Sequence, residues 1–267
     1  MNVDKRRFKM KKLFLLIIAS LLSFSLTGAE EMSARQAMDL VDNRDEGKTS
    51  QSEIEMILVN KRGKKRVRQI KSFTENYGKD SKSVMFFEKP ADVKGTAFLA
   101  WEYDDISKED AKWLYLPALR KVRRISGSSE DDYFMGSDFT YDDMGDRNID
   151  EDTYEFVERS KIENGHDCRV IKATPTEQKV SGTYKILTIR KDNNVVIKVD
   201  YYKKEKLVKT LTVNSIKKIS GIWIAEQMIM DNYEKKHKTI INMSEIKINE
   251  PIKKSLFEVS TLSRGRF

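Results

Sequence analysis

Ser33, followed three positions later by Gln36, has the spacing of a capping box, and Ala34, Ala37, Met38 and Val41 recur behind it at helical intervals. One amphipathic helix from Ser33 to Arg44 is predicted. Beyond it the period changes to two. Ile54, Met56 and Leu58 alternate with Glu53, Glu55 and Ile57, Asn60-Lys61-Arg62-Gly63 supplies a turn, and a basic strand returns from Lys64 to Phe73. Further strands are predicted at Ser83 to Glu88, ended by Pro90, and at Thr96 to Tyr103, ended by Asp104-Asp105. Trp113 to Leu116 leads to Pro117, after which Arg120 to Ile125 runs back. In the second half Cys168 to Ala173, Tyr184 to Arg190, Val195 to Lys203, Leu207 to Ile216, Ile222 to Asp231 and Lys238 to Ile248 follow at short intervals, with Asp192-Asn193-Asn194 and Ser220-Gly221 as hairpin turns.

Ten or eleven strands in hairpin order with almost no helix between them exclude a parallel α/β architecture, which needs crossover helices. The prediction is a mainly β protein: a single antiparallel half-open β-barrel with an N-terminal helix and short covering helices. No proline-rich or glycine/serine-rich linker divides the chain, so residues 30–267 are taken as one domain. The acidic stretch from Gly127 to Asp152 is its longest irregular segment.

Composition adds the compartment. Of 267 residues 39% are apolar and 34% charged, a soluble surface around a modest core. The net charge of +8 suggests a nucleic-acid binder only until it is located, because residues 1–29 carry six basic side chains against one acid. The rest of the chain is close to neutral, and nucleic acid is not an expected partner. That basic start runs into the apolar stretch Leu13 to Leu22 and closes on small residues through Ala29, the layout of a secretory signal peptide cleaved after Ala29. Met10-Lys11-Lys12-Leu13 is an alternative start. A membrane span needs about 20 apolar residues, more than this stretch offers, and no cysteine follows it to carry a lipid. A protein free in the periplasm is expected, and a monomer. The sole cysteine, Cys168, allows no internal disulfide.

Catalytic equipment is thin. His166 and Cys168 would share one side of a strand, but no orienting third group is evident, and a buried structural thiol accounts for Cys168. Asp146, Asn148 and Asp150 match the first three positions of an EF-hand loop, yet Glu151 and Val157 stand where Gly and Glu are required. A looser site from Glu130, Asp131, Asp132, Asp142 and Asp143 reads more simply as solvated acid. No phosphate loop or zinc spacing occurs, so no catalytic residue, metal or cofactor is assigned. The run Lys61 to Lys71 could grip an anionic surface, but reads first as a solvated strand face paired with acidic neighbours. Apolar and aromatic strand residues remain, and Met56, Phe86, Phe98, Trp101, Leu114, Ile224 and Met228 are the candidates for lining a cavity.

The stretch from Trp113 through Leu-Tyr-Leu-Pro-Ala-Leu-Arg-Lys-Val-Arg-Arg-Ile to Phe134-Met-Gly-Ser-Asp-Phe-Thr-Tyr-Asp-Asp143 resembles the LolA-like outer-membrane lipoprotein-sorting proteins, in particular the branch often encoded beside large export pumps. Pro90 to Thr96, with its Pro-x-x-x-x-Gly-Thr pattern, is similar to the same family. The resemblance implies an incomplete barrel that binds acyl chains of lipoproteins or lipids in the periplasm without catalysis. It marks Arg124, Gly136, Ser137, Asp138 and Phe139 as the family-motif loop. A periplasmic carrier delivering acyl chains towards the outer membrane is the first functional expectation. A lipid-sensing accessory subunit of an inner-membrane export complex is the second, and a hydrolase using His166 and Cys168 the third.

Overall fold

The computed structural model describes residues 31–145, 147–177 and 181–262. The predicted leader, its cleavage point and Asp146 lie outside the described residues. The capping box forms: the Gln36 N–H donates to the Ser33 hydroxyl and the Ser33 N–H to the Gln36 side chain. Helix α1 (Ala34–Asp42) follows and ends at Asn43, slightly short of the predicted bound.

Thirteen antiparallel strands are present among the described residues. They are β1 (Thr49–Val59), β2 (Lys65–Tyr77), β3 (Asp80–Lys89), β4 (Ala97–Glu102), β5 (Ala111–Leu116), β6 (Lys121–Ile125), β7 (Asp152–Glu163), β8 (His166–Pro175), β9 (Thr183–Arg190), β10 (Val196–Lys203), β11 (Lys206–Ile219), β12 (Ile222–Asn232) and β13 (His237–Ile248). Hairpins order them β6-β5-β4-β3-β2-β1-β13-β12-β11-β10-β9-β8-β7, so the two halves of the chain join where β1 pairs β13. β7 has no counterpart among the predicted strands. As an edge strand exposed over much of its length, β7 carries charge where a central strand would carry Val or Ile.

The sheet curls. Ser81 on β3 and Leu187 on β9 line one cavity although seven steps of the strand order separate them. At about 4.8 Å per step, a flat sheet would hold them more than 30 Å apart. Curling leaves β6 and β7 as free edges, joined in sequence by residues 126–151, and the half-open barrel of the sequence reading is the observed fold.

Both faces are covered. On the inner face Ile54, Met56, Ile70, Phe87, Phe98 and Leu114 pack against Phe134, Phe139 and Tyr141 from the 126–151 segment. On the outer face a 3-10 turn (Lys254–Phe257) and the short helix α2 (Val259–Leu262) lay Phe257 and Leu262 over Val84, Phe86, Leu99 and Tyr115. Strand β4 is therefore buried on both sides, and Ala97 to Ala100 are consecutive core residues.

Candidate functional site

Two adjacent rows of inward side chains cross the C-terminal half of the sheet. Opposed residues on neighbouring strands share a face, so the register alone defines them. One row is Tyr154, Ala173, Lys185, Tyr201, Lys209, Asn232 and His237; the next is Phe156, Ile171, Leu187, Val199, Leu211, Met230 and Thr239. A mostly polar row thus lies beside a mostly apolar one.

The 126–151 segment docks on the polar row through buried charge. Asp138 is fully buried; its Oδ2 accepts from the Thr239 hydroxyl at 2.7 Å and meets His237 Nδ1 at 2.6 Å. The Asp138 N–H donates in turn to Thr239 Oγ1. Its other oxygen, Oδ1, has no hydrogen-bond partner among the described residues. Asp143 pairs with the Lys209 ammonium at 2.8 Å, both side chains nearly out of water. Burial alone would push the Asp143 carboxyl up, but Lys209 and Lys185 outweigh it and hold the group below its ordinary range. Burial, with Asp143 alongside, pushes the Tyr201 phenol well above its usual value, so that hydroxyl stays protonated. Arg68, turned inward from the basic strand β2, donates to the Met135 carbonyl, and Asn232 donates to the Tyr133 hydroxyl. The segment is a fixed plug over the inner face.

Beside the plug the same face stays open. A half-open cavity of about 500 Å³ is walled by Tyr154, Ala173, Leu187, Val196, Val199 and Tyr201. Met38 and Val41 of α1 roof it. That volume falls in the range of small-molecule and cofactor pockets. Lys185 brings a cation into the wall, its ammonium 5.2 Å from the centre of the Tyr201 ring. Arg147, also in the wall, is spent on a two-pronged pair with Asp152 at 2.9 Å.

The roof is held differently from the plug. Arg35 pairs with Asp150 at 2.6 Å and Lys79 with Asp42 at 2.8 Å, all four side chains partly in water. Such solvent-screened pairs contribute roughly 0–1 kcal/mol each. The roof helix is thus tied by weak contacts and the plug by strong ones.

The predicted cavity residues lie elsewhere. Met56, Phe98 and Leu114 are buried on the inner face, Phe98 directly under the plug, and Met228 packs against the same cluster. Phe86 and Trp101 are on the outer face, where Trp101 Nε1 donates to the Phe257 carbonyl. Ile224 is half-buried opposite Lys217. None of the seven lines the open cavity. Of the motif loop, Arg124 is half-exposed on β6 near Glu109, while Ser137, Asp138 and Phe139 are buried within the plug and Gly136 turns there at φ +73°. The sequence reading missed Lys209, His237 and the cavity wall of β8 to β10. A charged residue at an inward position of a strand, as Lys209 is opposite Tyr201, was the available signal.

The acids of the 126–151 segment meet cations of the protein itself: Glu130 lies 3.9 Å from Lys112, and Asp143 holds Lys209. Cys168 is fully buried against Val195 and Ile197, its thiol donates to the His166 backbone carbonyl, and burial pushes its pKa up, away from a reactive thiolate. Cys168→Ser is expected to cost about 1–3 kcal/mol by burying a hydroxyl among apolar neighbours. Chemical denaturation checks it, and lipid retention should not change.

A curled antiparallel sheet with a covered inner face and a half-open cavity, apolar at Leu187, Val196 and Val199 and charged around its rim, is a fold shared with known proteins. A protein of the DUF1329 family from Desulfovibrio piger is 34% identical over 86% of this chain and 99% of its own, with a TM-score of 0.80. A Vibrio parahaemolyticus domain described as an outer-membrane lipoprotein-sorting protein is 30% identical over 86% and 98%, also at 0.80. A LolA superfamily protein of Nitrosomonas europaea, 15% identical at 0.66 over 86% and 99%, shares the fold. A family model whose description reads "Uncharacterized protein" matches residues 79–264, more than half of the chain. No curated protein matches the sequence. The chain belongs to the LolA-like outer-membrane lipoprotein-sorting proteins. Within them it is a member of the DUF1329 family.

Proposed function

We propose that the protein is an exported carrier, processed after Ala29 and working in the periplasm, that shelters acyl chains of a lipoprotein or lipid on their way towards the outer membrane. The observation that carries this reading is the half-open cavity walled by Leu187, Val196 and Val199 and roofed by Met38 and Val41. Each acyl CH₂ gains about 0.8 kcal/mol on leaving water, so a chain crosses an aqueous space only inside such a wall. Cargo enters by displacing α1, whose exposed ion pairs cost little to break, while the plug stays seated. Lys185 then meets the anionic or carbonyl end of the cargo where the apolar wall stops. The reading assigns no chemical step to the protein.

Mass spectrometry of lipids co-purifying with the protein tests it. Wild type is expected to retain acyl lipid, while Leu187→Asp and Val41→Asp, which put charge on the wall and the roof, are expected to lose it with the fold intact by circular dichroism. Wild-type protein free of lipid, and unable to move labelled lipid between vesicles, would overturn the carrier reading.

A further inference from the structure

Hairpin order places turns alternately at the two ends of the strands, and the charges segregate with them. The turns β1–β2, β12–β13 and β10–β11 are successive neighbours at one end, because the strand order runs β2-β1-β13-β12-β11-β10. Residues 60–66, 203–206 and 233–236 hold ten basic and two acidic side chains. At the other end, residues 43–48, 77–80, 103–110 and 191–195 hold five basic and eight acidic ones. The near-neutral mature chain is therefore strongly polar end to end. Lys61, Arg62, Lys64, Lys65 and Arg66 are exposed and make no ion pair among the described residues. The neighbour-paired strand face of the sequence reading holds only deeper in β2, where Lys71 meets Glu88 at 2.9 Å. Three large apolar side chains are exposed at this end: Val67 next to Arg66, Tyr233 in the β12–β13 turn, 49% accessible, and Leu119 in the β5–β6 turn, 63% accessible.

A row of cations, of which the five in residues 61–66 make no ion pair among the described residues, with a tyrosine and a leucine exposed at the same end, complements an anionic bilayer, which attracts lysine and arginine at its surface and takes tyrosine and leucine at the headgroup level. An acidic protein partner would satisfy the cations but leave Leu119 and Tyr233 without a matching layer. We propose that this basic end is a docking surface for an anionic phospholipid membrane. The inference goes beyond the carrier reading and does not depend on what the cavity holds.

The experiment is sedimentation of purified protein with vesicles of phosphatidylcholine alone or mixed with phosphatidylglycerol. Binding is expected only to the mixed vesicles and should fall at least tenfold between 50 mM and 500 mM salt, because surface charges are screened there. The pair K61E/K64E should weaken it at least tenfold, with an unchanged thermal melt. The control pair K253E/K254E, the same charge change on the exposed C-terminal segment, should bind as wild type. Leu187→Asp should still dock, which separates docking from uptake of lipid into the cavity. Equal binding to neutral vesicles, no vesicle binding at all, or full binding by K61E/K64E would overturn the proposal.

Discussion

Phe98→Ala is expected to destabilise the fold by about 3–5 kcal/mol, the cost of emptying a packed aromatic site. Phe98 is completely buried, with the Phe134 ring 5.2 Å away edge-on and the Tyr141 ring at 5.7 Å. Phe134 in turn touches Phe87 at 6.0 Å and Tyr141 at 5.4 Å, so one truncation leaves a void at the centre of an aromatic cluster. The plug supplies half of that cluster. Urea denaturation measures the effect as a drop in midpoint with an unchanged slope. A loss below about 1 kcal/mol would mean that the site is hollow and the plug unseated in solution. Lipid retention by the folded fraction should survive, since Phe98 lies under the plug and not in the cavity.

The contrast between plug and roof explains how one inner face can be both core and container. Residues 126–151 invest Phe134, Phe139 and Tyr141 together with Asp138 and Asp143 in the N-terminal half of the sheet and the polar row beside it. That region behaves as ordinary interior. The roof helix α1 invests Ala34, Ala37, Met38 and Val41 and partly solvated ion pairs, but no buried ion pair, so it has less to lose on moving than the plug.

Strands, turns and the capped helix were legible because each follows from neighbours in sequence: a period of two, an Asn-rich turn, a Ser33 and Gln36 pair. The partition between core and cavity was not legible. Phe86 and Phe98 are equally apolar, and only the register and the covering segments put one beneath Phe257 and the other beneath Phe134. On β4, four consecutive buried residues erase the alternation that would have told inside from outside. The plug's Asp138 meets His237, 99 positions away, and His237 stands between Lys236 and Lys238 as if it belonged to a solvated turn. The acidic segment read as solvated contains Asp138, the most buried carboxylate among the described residues, and Asp143, whose cation Lys209 comes from a distant strand. The motif Gly136 to Phe139 was singled out by family resemblance, and its structural reason is that Ser137, Asp138 and Phe139 are the buried heart of the plug.

Lys209→Met is expected to destabilise the protein by about 3–5 kcal/mol at neutral pH, because it leaves the Asp143 carboxylate buried without its cation. The loss should shrink in acid. In the wild type burial pushes the Asp143 carboxyl up, but Lys209, Lys185 and the N–H of Thr140 outweigh that push and hold it low. A carboxylate depressed in the folded state contributes stability that is complete above the unfolded value of about 3.9 and is lost as pH falls through the lower folded value. With methionine at position 209 the strongest opposing charge is gone: burial faces only Lys185 and the Thr140 N–H, the carboxyl is expected to rise above its unfolded value, and protonation then relieves the variant instead of weakening it. Urea denaturation from pH 7 to pH 3 should show wild type losing stability at the acid end while the gap to Lys209→Met narrows. The double variant Lys209→Met/Asp143→Leu, which replaces the pair with apolar groups of similar size, should recover most of the loss at pH 7. A gap constant across that range would mean that Asp143 is hydrated and the plug does not seal the inner face.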